Sequence, residues 1–351
     1  MRVLCAMSGG VDSSVAAIEL LEAGHDVVGV TMRLWGGASD TGCCSIADVD
    51  DARRVAQHLG IDHVVFNFTD DFDRHVVDPY VAAHAAGTTP NPCIECNRRL
   101  KFDRLLERAD LLGFDAVATG HHARIVIVAG RRHVARGADA AKDQSYVVHM
   151  LDQAALARTL FPVGHLTKAE VRAKAAAAGV RTAAKPDSQD VCFITHTGGR
   201  ESFLGSRIPF RSGTVVDTDG AIVGSVESVE LVTVGQRRGL GLPGGGPKRY
   251  VVEVDVERGV VVVGDESAQF VDVLELGALV WAAAPVQGEV LVQCSAHGEP
   301  RRAVLHGSRI CFTEPQRRVA PGQSVVLYDT TDAIVLGGGI ALRGAPSSAH
   351  R

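Results

Sequence analysis

Apolar and polar positions follow two different rhythms along this chain. Up to about residue 200, short unbroken apolar runs alternate with stretches whose apolar residues recur three and four apart. "RVLCAM" predicts a buried strand, Asp12 to Ala23 a helix that stops at Gly24, and "HDVVGVTMRL" a second strand. "CCSIADVDDARRVAQHLG" has helical spacing, with Ser45 as N-cap, Asp48 three residues on and Gly60 at its end. "DHVVFNF" and "FDAVATG" predict a third and a fourth strand on either side of a helix around "RLKFDRLLERADLLG". "TKAEVRAKAAAAG" predicts a helix capped by Thr167 with Glu170. Strands alternating with helices through right-handed crossovers predict an α/β domain with a doubly wound parallel sheet.

From about residue 203 the runs shorten and the breaks become Asp-Gly, Arg-Gly and Gly-Gln. "SGTVVDTDGAIVGSV", "VELVTVGQRRGL", "RYVVEVDVERGVVVVGD" and "GEVLVQCSAHGEPRRAVL" predict antiparallel hairpins. "LPGGGPK" predicts a mobile loop. The expected division is 1–202, 203–264 and 265–351, one α/β and two smaller β-rich domains.

Composition removes some classes of function. The 351 residues contain no apolar run long enough for a membrane span, and "MRVLCAMSGG" lacks the features of a secretory signal. A cytoplasmic protein with no membrane partner is expected. Eight cysteines, at 5, 43, 44, 93, 96, 192, 294 and 311, are too sparse for a disulfide scaffold. Any disulfide would be transient and catalytic. Net charge is −5, but positive charge is clustered in "NRRLKFDR", "GQRRGLGLPGGGPKR" and "PQRR", and nucleic acid responds to local patches rather than to net charge. The fourteen histidines show no H-E-x-x-H or zinc-finger spacing.

The chemistry concentrates first at "AMSGGVDSS". The turn lies between the first strand and the first helix, where an α/β fold binds ligands. Its glycines let backbone N–H groups approach an anion, and the helix N-terminus adds partial positive charge. Ser8, Ser13 and Ser14 can donate hydroxyl hydrogen bonds to an anion; Asp12 can cap the helix or hold magnesium. No lysine follows as a P-loop requires, and G-x-G-x-x-G is absent. The stretch resembles the SGG-x-DS loop of the PP-loop ATP pyrophosphatases, which cleave ATP between its α and β phosphates. That resemblance implies ATP and Mg2+, with ATP held by Ala6, Met7, Ser8, Gly9, Gly10, Val11, Asp12 and Ser13, and by Met32 and Gly120 at the ends of the second and fourth strands.

The second concentration is "TTPNPCIECNRRLKF" with "KPDSQDVCFI". Prolines on both sides of Asn91 predict a rigid, non-helical turn. Cys93 and Cys96 form a C-x-x-C backed by Arg98 and Arg99, whose charge would favour a thiolate at Cys96. Taken with "ATGHHAR", "KDQSY", "VGQRRGLGL" and "PGQSVVLYD…LGGG", in that family's order over nearly the whole chain, these stretches resemble the tRNA-uridine 2-sulfurtransferases, also called tRNA-specific 2-thiouridylases. The resemblance implies a last domain closed as a β-barrel and an ATP-dependent exchange of the wobble uridine's C2 oxygen for sulfur. It matches Cys96 to the nucleophile and Cys192 to the persulfide carrier. Asn91, Pro92, Cys93, His121, Lys142, Asp143, Gln144 and Gln323 match tRNA-contacting positions. Lysine, glutamate and glutamine tRNAs are the implied acceptors, and a cysteine desulfurase or sulfur-carrier protein the implied donor.

Two departures from the family matter. Many members have aspartate where this chain has Cys93. Cys93, Cys96 and Cys192 are therefore three thiols that a [4Fe–4S] cluster would suit as an alternative to a persulfide relay. A basic-aromatic stretch common in the family is replaced by "VQCSAHGEP", so no RNA contact is expected at Gln293 or Cys294. Among other enzymes, a PP-loop ligase acting on a small carboxylate would have no use for Cys96 and Cys192. An RNA-binding module holding ATP as a structural ligand would not need paired cysteines in polar loops.

Overall fold

The computed structural model describes residues 1–35, 46–186, 191, 193–194, 199–243 and 246–344. Cys192, Ser45 and the centre of the "LPGGGPK" loop lie outside the described residues, as do Cys43 and Cys44.

The first apolar runs form a parallel sheet from β1 (Arg2–Ala6), β2 (Asp26–Arg33), β3 (His63–Asn67) and β4 (Ala116–Ala118). A hairpin follows, β5 (Ala123–Val128) and β6 (Arg131–Arg136), and then a two-residue strand, β7 (Thr159–Leu160), that completes the sheet in the order β3-β2-β1-β4-β7. β1 is central and its residues 3–6 are buried, as its unbroken apolar run requires. Helix α1 (Val11–Glu22) leaves β1 through the glycine turn, and α2 (Ile46–Leu59) packs beside it. Gly24 and Gly60 end these helices in the left-handed region, at φ +75° and +68°. The helix Lys168–Ala177 carries the full capping box: Thr167 accepts from the Glu170 N–H while the Glu170 carboxylate accepts from the Thr167 N–H.

The segment after the second cysteine of C-x-x-C differs from a plain helix. A short helix, Pro92–Cys96, runs into a π-helical stretch over Asn97–Arg104 before regular α-geometry resumes at Leu105–Leu111. The β5–β6 hairpin follows from signals present in "ARIVIVAGRRHVAR": an apolar run, then a turn at Ala129 and Gly130 with φ of +48° and +75°.

The β-rich part divides as its changed rhythm implies. β8 (Gly213–Asp217), β9 (Ile222–Val226), β10 (Tyr250–Asp255) and β11 (Val260–Gly264) form one sheet in the order β10-β11-β8-β9. Two details correct the expectation. β11 pairs with β8 in parallel, and "VELVTVGQRRGL" forms a short 3-10 turn over Val229–Leu231 instead of a strand. The last six strands, β12 (Phe270–Trp281), β13 (Gly288–Gln293), β14 (Arg301–His306), β15 (Arg309–Arg317), β16 (Ser324–Tyr328) and β17 (Val335–Ala341), close into a barrel in the order β12-β15-β14-β13-β16-β17.

The barrel shares a core with the α/β domain. Ile94, Phe102, Tyr146, Val148 and Phe161 pack in one cluster with Val326, Tyr328 and Val335. Around it, Tyr146 donates to the Ser324 carbonyl at 2.7 Å, Arg136 pairs with Asp332 at 2.6 Å, and the Arg136 guanidinium lies 3.7 Å from the Tyr328 ring centre. Among the described residues no helix is long and apolar enough to cross a membrane.

Candidate active site

The turn between β1 and α1 is shaped by its own small residues. Gly9 has φ +71°, and a Cβ there would stand 2.4 Å from the Asp48 carbonyl of α2, so only glycine fits. Ser13 accepts from the Ser8 N–H at 3.1 Å and donates to the Gly10 carbonyl at 3.1 Å. Ser14 also donates to that carbonyl, at 2.8 Å, and accepts from Thr182. Ser13 and Ser14 are buried and their hydroxyls are committed to the loop's shape. Ser8 is the exposed hydroxyl. Gly120, just beyond β4, packs on the start of α1: a Cβ there would come within 2.7 Å of the Ser13 nitrogen.

Asp12 does not cap α1, whose N-cap, Gly10, makes no side-chain cap bond. Its carboxylate instead receives Lys168 Nζ at 2.7 Å on both oxygens and lies 3.1 Å from His122 Nε2. Burial alone would raise its pKa. The hydrogen bonds from His122 and Lys168 outweigh that and hold the carboxyl below the usual range. On the other side of the loop Lys185 Nζ donates to the Gly9 carbonyl at 3.0 Å, to Asp48 at 2.7 Å and to Asp51 at 2.9 Å. Burial opposes the Lys185 charge, but the two carboxylates prevail and raise its pKa. The turn therefore acquires two lysines from distant segments, although none follows it in sequence. Sequence reasoning missed both as site residues. Lys185 opens the quoted "KPDSQDVCFI", which was its available signal; for Lys168, next to the Thr167 cap, local sequence offers none.

Val11 is buried at the start of α1. Ala6 and Met32 are buried and belong to one packed cluster with Leu4, Phe72, Tyr80, Cys96 and Phe193, while Met7 turns into the cluster on the other face of the sheet. Cys96 is thus in contact with the core beneath the strand ends that lead to the nucleotide turn. Phe193 stands next in sequence to Cys192, and Val191 packs against the same cluster.

The expected non-helical turn is instead a helix start: Asn91 is the N-cap of the cysteine helix, accepting from the Cys93 N–H at 3.0 Å, and Pro92 occupies its first turn, where no N–H is missed. Cys93 is exposed and Cys96 is buried. Arg98 and Arg99 do not stand unshared behind the thiols: Glu95 lies 3.7 Å from one and 3.9 Å from the other. Arg104 of the same basic stretch pairs with Asp71 at 2.6 Å and Glu107 at 2.7 Å. This cluster is consequently closer to neutral than the sequence suggests.

Several positions matched to tRNA contacts serve the framework. His121 is buried with its ring near Phe102 and Phe161, and its Nδ1 lies 2.7 Å from the Thr119 hydroxyl. Burial, with Lys101 and His122 nearby, keeps it well below the ordinary histidine pKa, so it is a neutral core side chain. Asp143 accepts from the Gly137 N–H, from Ser145 and from Arg136, bracing the junction with the barrel. Gln144 accepts from the His122 N–H at 2.8 Å and donates its own N–H to the His122 carbonyl. Lys142 is exposed. Gln323 donates to the Thr89 carbonyl at the entry of the cysteine helix.

Among the described residues no three His, Cys, Asp or Glu side chains gather as a metal site. Asp12, the acid of the loop, is already paired. Cys93 and Cys96 are three residues apart on one short helix, the first exposed and the second buried. Cys5 is buried and Cys294 half-buried; removal from water pushes both thiols up to about 12, so neither is a ready thiolate.

A parallel α/β domain with a glycine-serine phosphate turn, followed by a β sheet and a closed β-barrel, defines a nucleotide-using enzyme with two appended β modules. Family models agree with this layout. Residues 1–196 match a tRNA methyl transferase HUP domain, 201–265 a tRNA methyl transferase PRC-barrel domain and 271–341 an aminomethyltransferase beta-barrel domain. The tRNA-specific 2-thiouridylase MnmA of Chloroflexus aurantiacus is 47% identical over 353 residues, covering 96% of this chain and 97% of that protein. Those of Mycobacteroides abscessus and Rhodococcus jostii are 44% and 46% identical, covering 98% and 97% of this chain and 100% and 97% of their own lengths. The methyl-transfer wording of two family models disagrees with the thiouridylase name of the relatives, and the near full-length identity favours the relatives. The chain belongs to the tRNA-specific 2-thiouridylase family and is a tRNA sulfurtransferase.

Proposed function

We propose that this enzyme replaces the C2 oxygen of the wobble uridine in tRNA with sulfur, consuming ATP. One observation supports this most strongly. Cys96 shares a packed cluster with Ala6 and Met32, at the strand ends that lead to the nucleotide turn, and with Phe193, the neighbour of Cys192.

The uridine C2 oxygen attacks the α-phosphate of ATP, and pyrophosphate leaves toward the N–H groups and the exposed hydroxyl of the Ser8–Ser13 turn. Adenylation turns a poor leaving group into AMP. The terminal sulfur of a persulfide on Cys192 attacks C2 and expels AMP. Cys96 thiolate then attacks the Cys192 sulfur, leaving a Cys96–Cys192 disulfide and the 2-thiouridine; an external thiol reductant resets the pair. The base leaves its stack to reach the site, with Asn91, Pro92, Cys93 and the exposed Lys142 as its nearest docking surface. ATP binds along Ala6 to Ser13, with Met32 and Gly120 beside the adenine. Magnesium enters with the phosphates, since no described cluster of acids would hold it alone. Lysine, glutamate and glutamine tRNAs are the acceptors, and a cysteine desulfurase or carrier protein supplies the sulfur. We assign the domains to 1–202, 203–264 and 265–351 and the enzyme to the cytoplasm.

A cluster mechanism through Cys93, Cys96 and Cys192 is the second reading, for which the i, i+3 spacing of Cys93 and Cys96 puts two thiols on one side of a helix. The test is to incubate the enzyme with ATP, unmodified tRNA and a persulfide donor, and to follow pyrophosphate and 2-thiouridine. Cys192→Ser should still release pyrophosphate and make no thiouridine; continued thiouridine formation would eliminate the relay. Anaerobic reconstitution that leaves no bound iron would remove the cluster.

A further inference from the structure

The cysteine helix is held from outside its own domain. Thr89, two residues before the N-cap Asn91, donates its N–H to the Pro321 carbonyl at 2.8 Å and receives the Gln323 amide on its own carbonyl. Both backbone groups of one residue are therefore fixed by a single turn of the barrel. Gly322, in the middle of that turn, has φ +94°, and a Cβ there would stand 3.1 Å from the Thr89 nitrogen and 3.2 Å from the Thr88 Cβ. The approach is as close as a missing side chain permits. Thr89 itself is buried, and its hydroxyl oxygen has no hydrogen-bond partner, so the residue is placed by its backbone alone.

The chain from Thr89 to Cys93 is stiff. Pro90 and Pro92 fix φ on both sides of Asn91, whose side chain caps the helix. A displacement at Thr89 is carried to the cysteines with little slack. The far end of the helix closes the circuit. Asn97, directly after Cys96, donates to the Val147 carbonyl at 2.8 Å, and the adjacent Tyr146 donates to the Ser324 carbonyl at 2.7 Å. Both ends of the five-residue helix thus lead back to neighbouring barrel residues, 323 and 324.

We infer that Gln323 is a positioning residue that sets the Cys93–Cys96 helix from the barrel. The inference rests on the sulfur-transfer role proposed for Cys96. The clasp joins residues 234 apart in sequence, tying the placement of the thiol helix to the barrel.

The test uses the full-length enzyme with Gln323→Met, which keeps length and removes the donor, and Gly322→Ala, which keeps the amide and pushes the turn away. Melting curves first establish that each variant is folded. Misplacing the helix should lower the turnover rate for thiouridine formation by about tenfold to a hundredfold at saturating tRNA, where a change in tRNA affinity has no effect. Iodoacetamide alkylation of Cys96, mapped by mass spectrometry in the free protein, should accelerate about fivefold or more as the helix opens, while the exposed Cys93 should react as before. Weakened tRNA binding with unchanged turnover and unchanged Cys96 alkylation would overturn the inference and make Gln323 an RNA contact. If the wild-type enzyme forms no thiouridine at all, the proposed function fails, while the alkylation rates still decide the clasp.

Discussion

The nucleotide turn and the cysteine helix lie over the same sheet and are built in opposite ways. The turn takes its shape locally: Ser8, Gly10, Ser13 and Ser14 bond one another within a few residues, and Gly9 leaves the space that a Cβ would take from the Asp48 carbonyl, while Lys185 and Thr182 brace it from afar. The cysteine helix has one local device, its Asn91 cap. Its other anchors come from Val147 and from the barrel. A locally shaped element survives transplantation between proteins and is readable from a short motif. An element set by remote contacts is only as well placed as the domain that holds it. Phosphate chemistry and sulfur chemistry in this enzyme should therefore fail separately.

The largest effect that would sharpen the contrast is loss of the thiols. Cys96→Ser and Cys192→Ser should each lower 2-thiouridine formation by about a thousandfold or more, with tRNA-dependent pyrophosphate release retained; loss of both activities together would break the contrast. The turn should show the reverse. Gly9→Ala forces a Cβ onto the Asp48 carbonyl at φ +71°. It should remove pyrophosphate release and cost about 1–3 kcal/mol of stability, while leaving the Cys96 alkylation rate unchanged.

A pH series separates the two regions next. His149 lies at the junction, under Gly338 of the barrel, and burial lowers its pKa to about 4. An unfolded histidine titrates near 6.5, so between about 6.5 and 4 the unfolded chain binds more protons and stability falls as pH falls. His84, lowered to about 4 by burial and by Arg200, adds to the same slope. Each contributes up to about 1.4 kcal/mol per pH unit in that window. Melting curves from pH 7 to 5 should show the loss, and His149→Gln should reduce its slope. The smallest effect belongs to a device remote from both regions: Thr167→Ala removes a capping box and should cost about 1 kcal/mol with no change in either activity.

What sequence makes legible follows the same division. The parallel sheet, the SGGVDSS turn and the Thr167–Glu170 box are local patterns, and each is present in the structure; the Asn91-Pro92 helix start instead reads in sequence as a non-helical turn. The remote lysines at the turn were hidden because Lys168 and Lys185 reach Asp12 and Gly9 across 156 and 176 residues. The framework roles of His121, Asp143 and Gln144 were hidden for a related reason. A polar residue in a family motif looks the same whether it meets RNA or fills a buried hydrogen-bond site, and only burial separates the two. The β11–β8 pairing is parallel because two hairpins join side by side, an arrangement that no single hairpin signal encodes.

The most direct test is a single turnover without reductant, using enzyme persulfidated at Cys192, ATP and unmodified tRNA, with the cysteine peptides mapped by mass spectrometry. A Cys96–Cys192 disulfide should appear in step with 2-thiouridine, one for one, together with AMP and pyrophosphate. Thiouridine formed while Cys96 remains a thiol would contradict the relay.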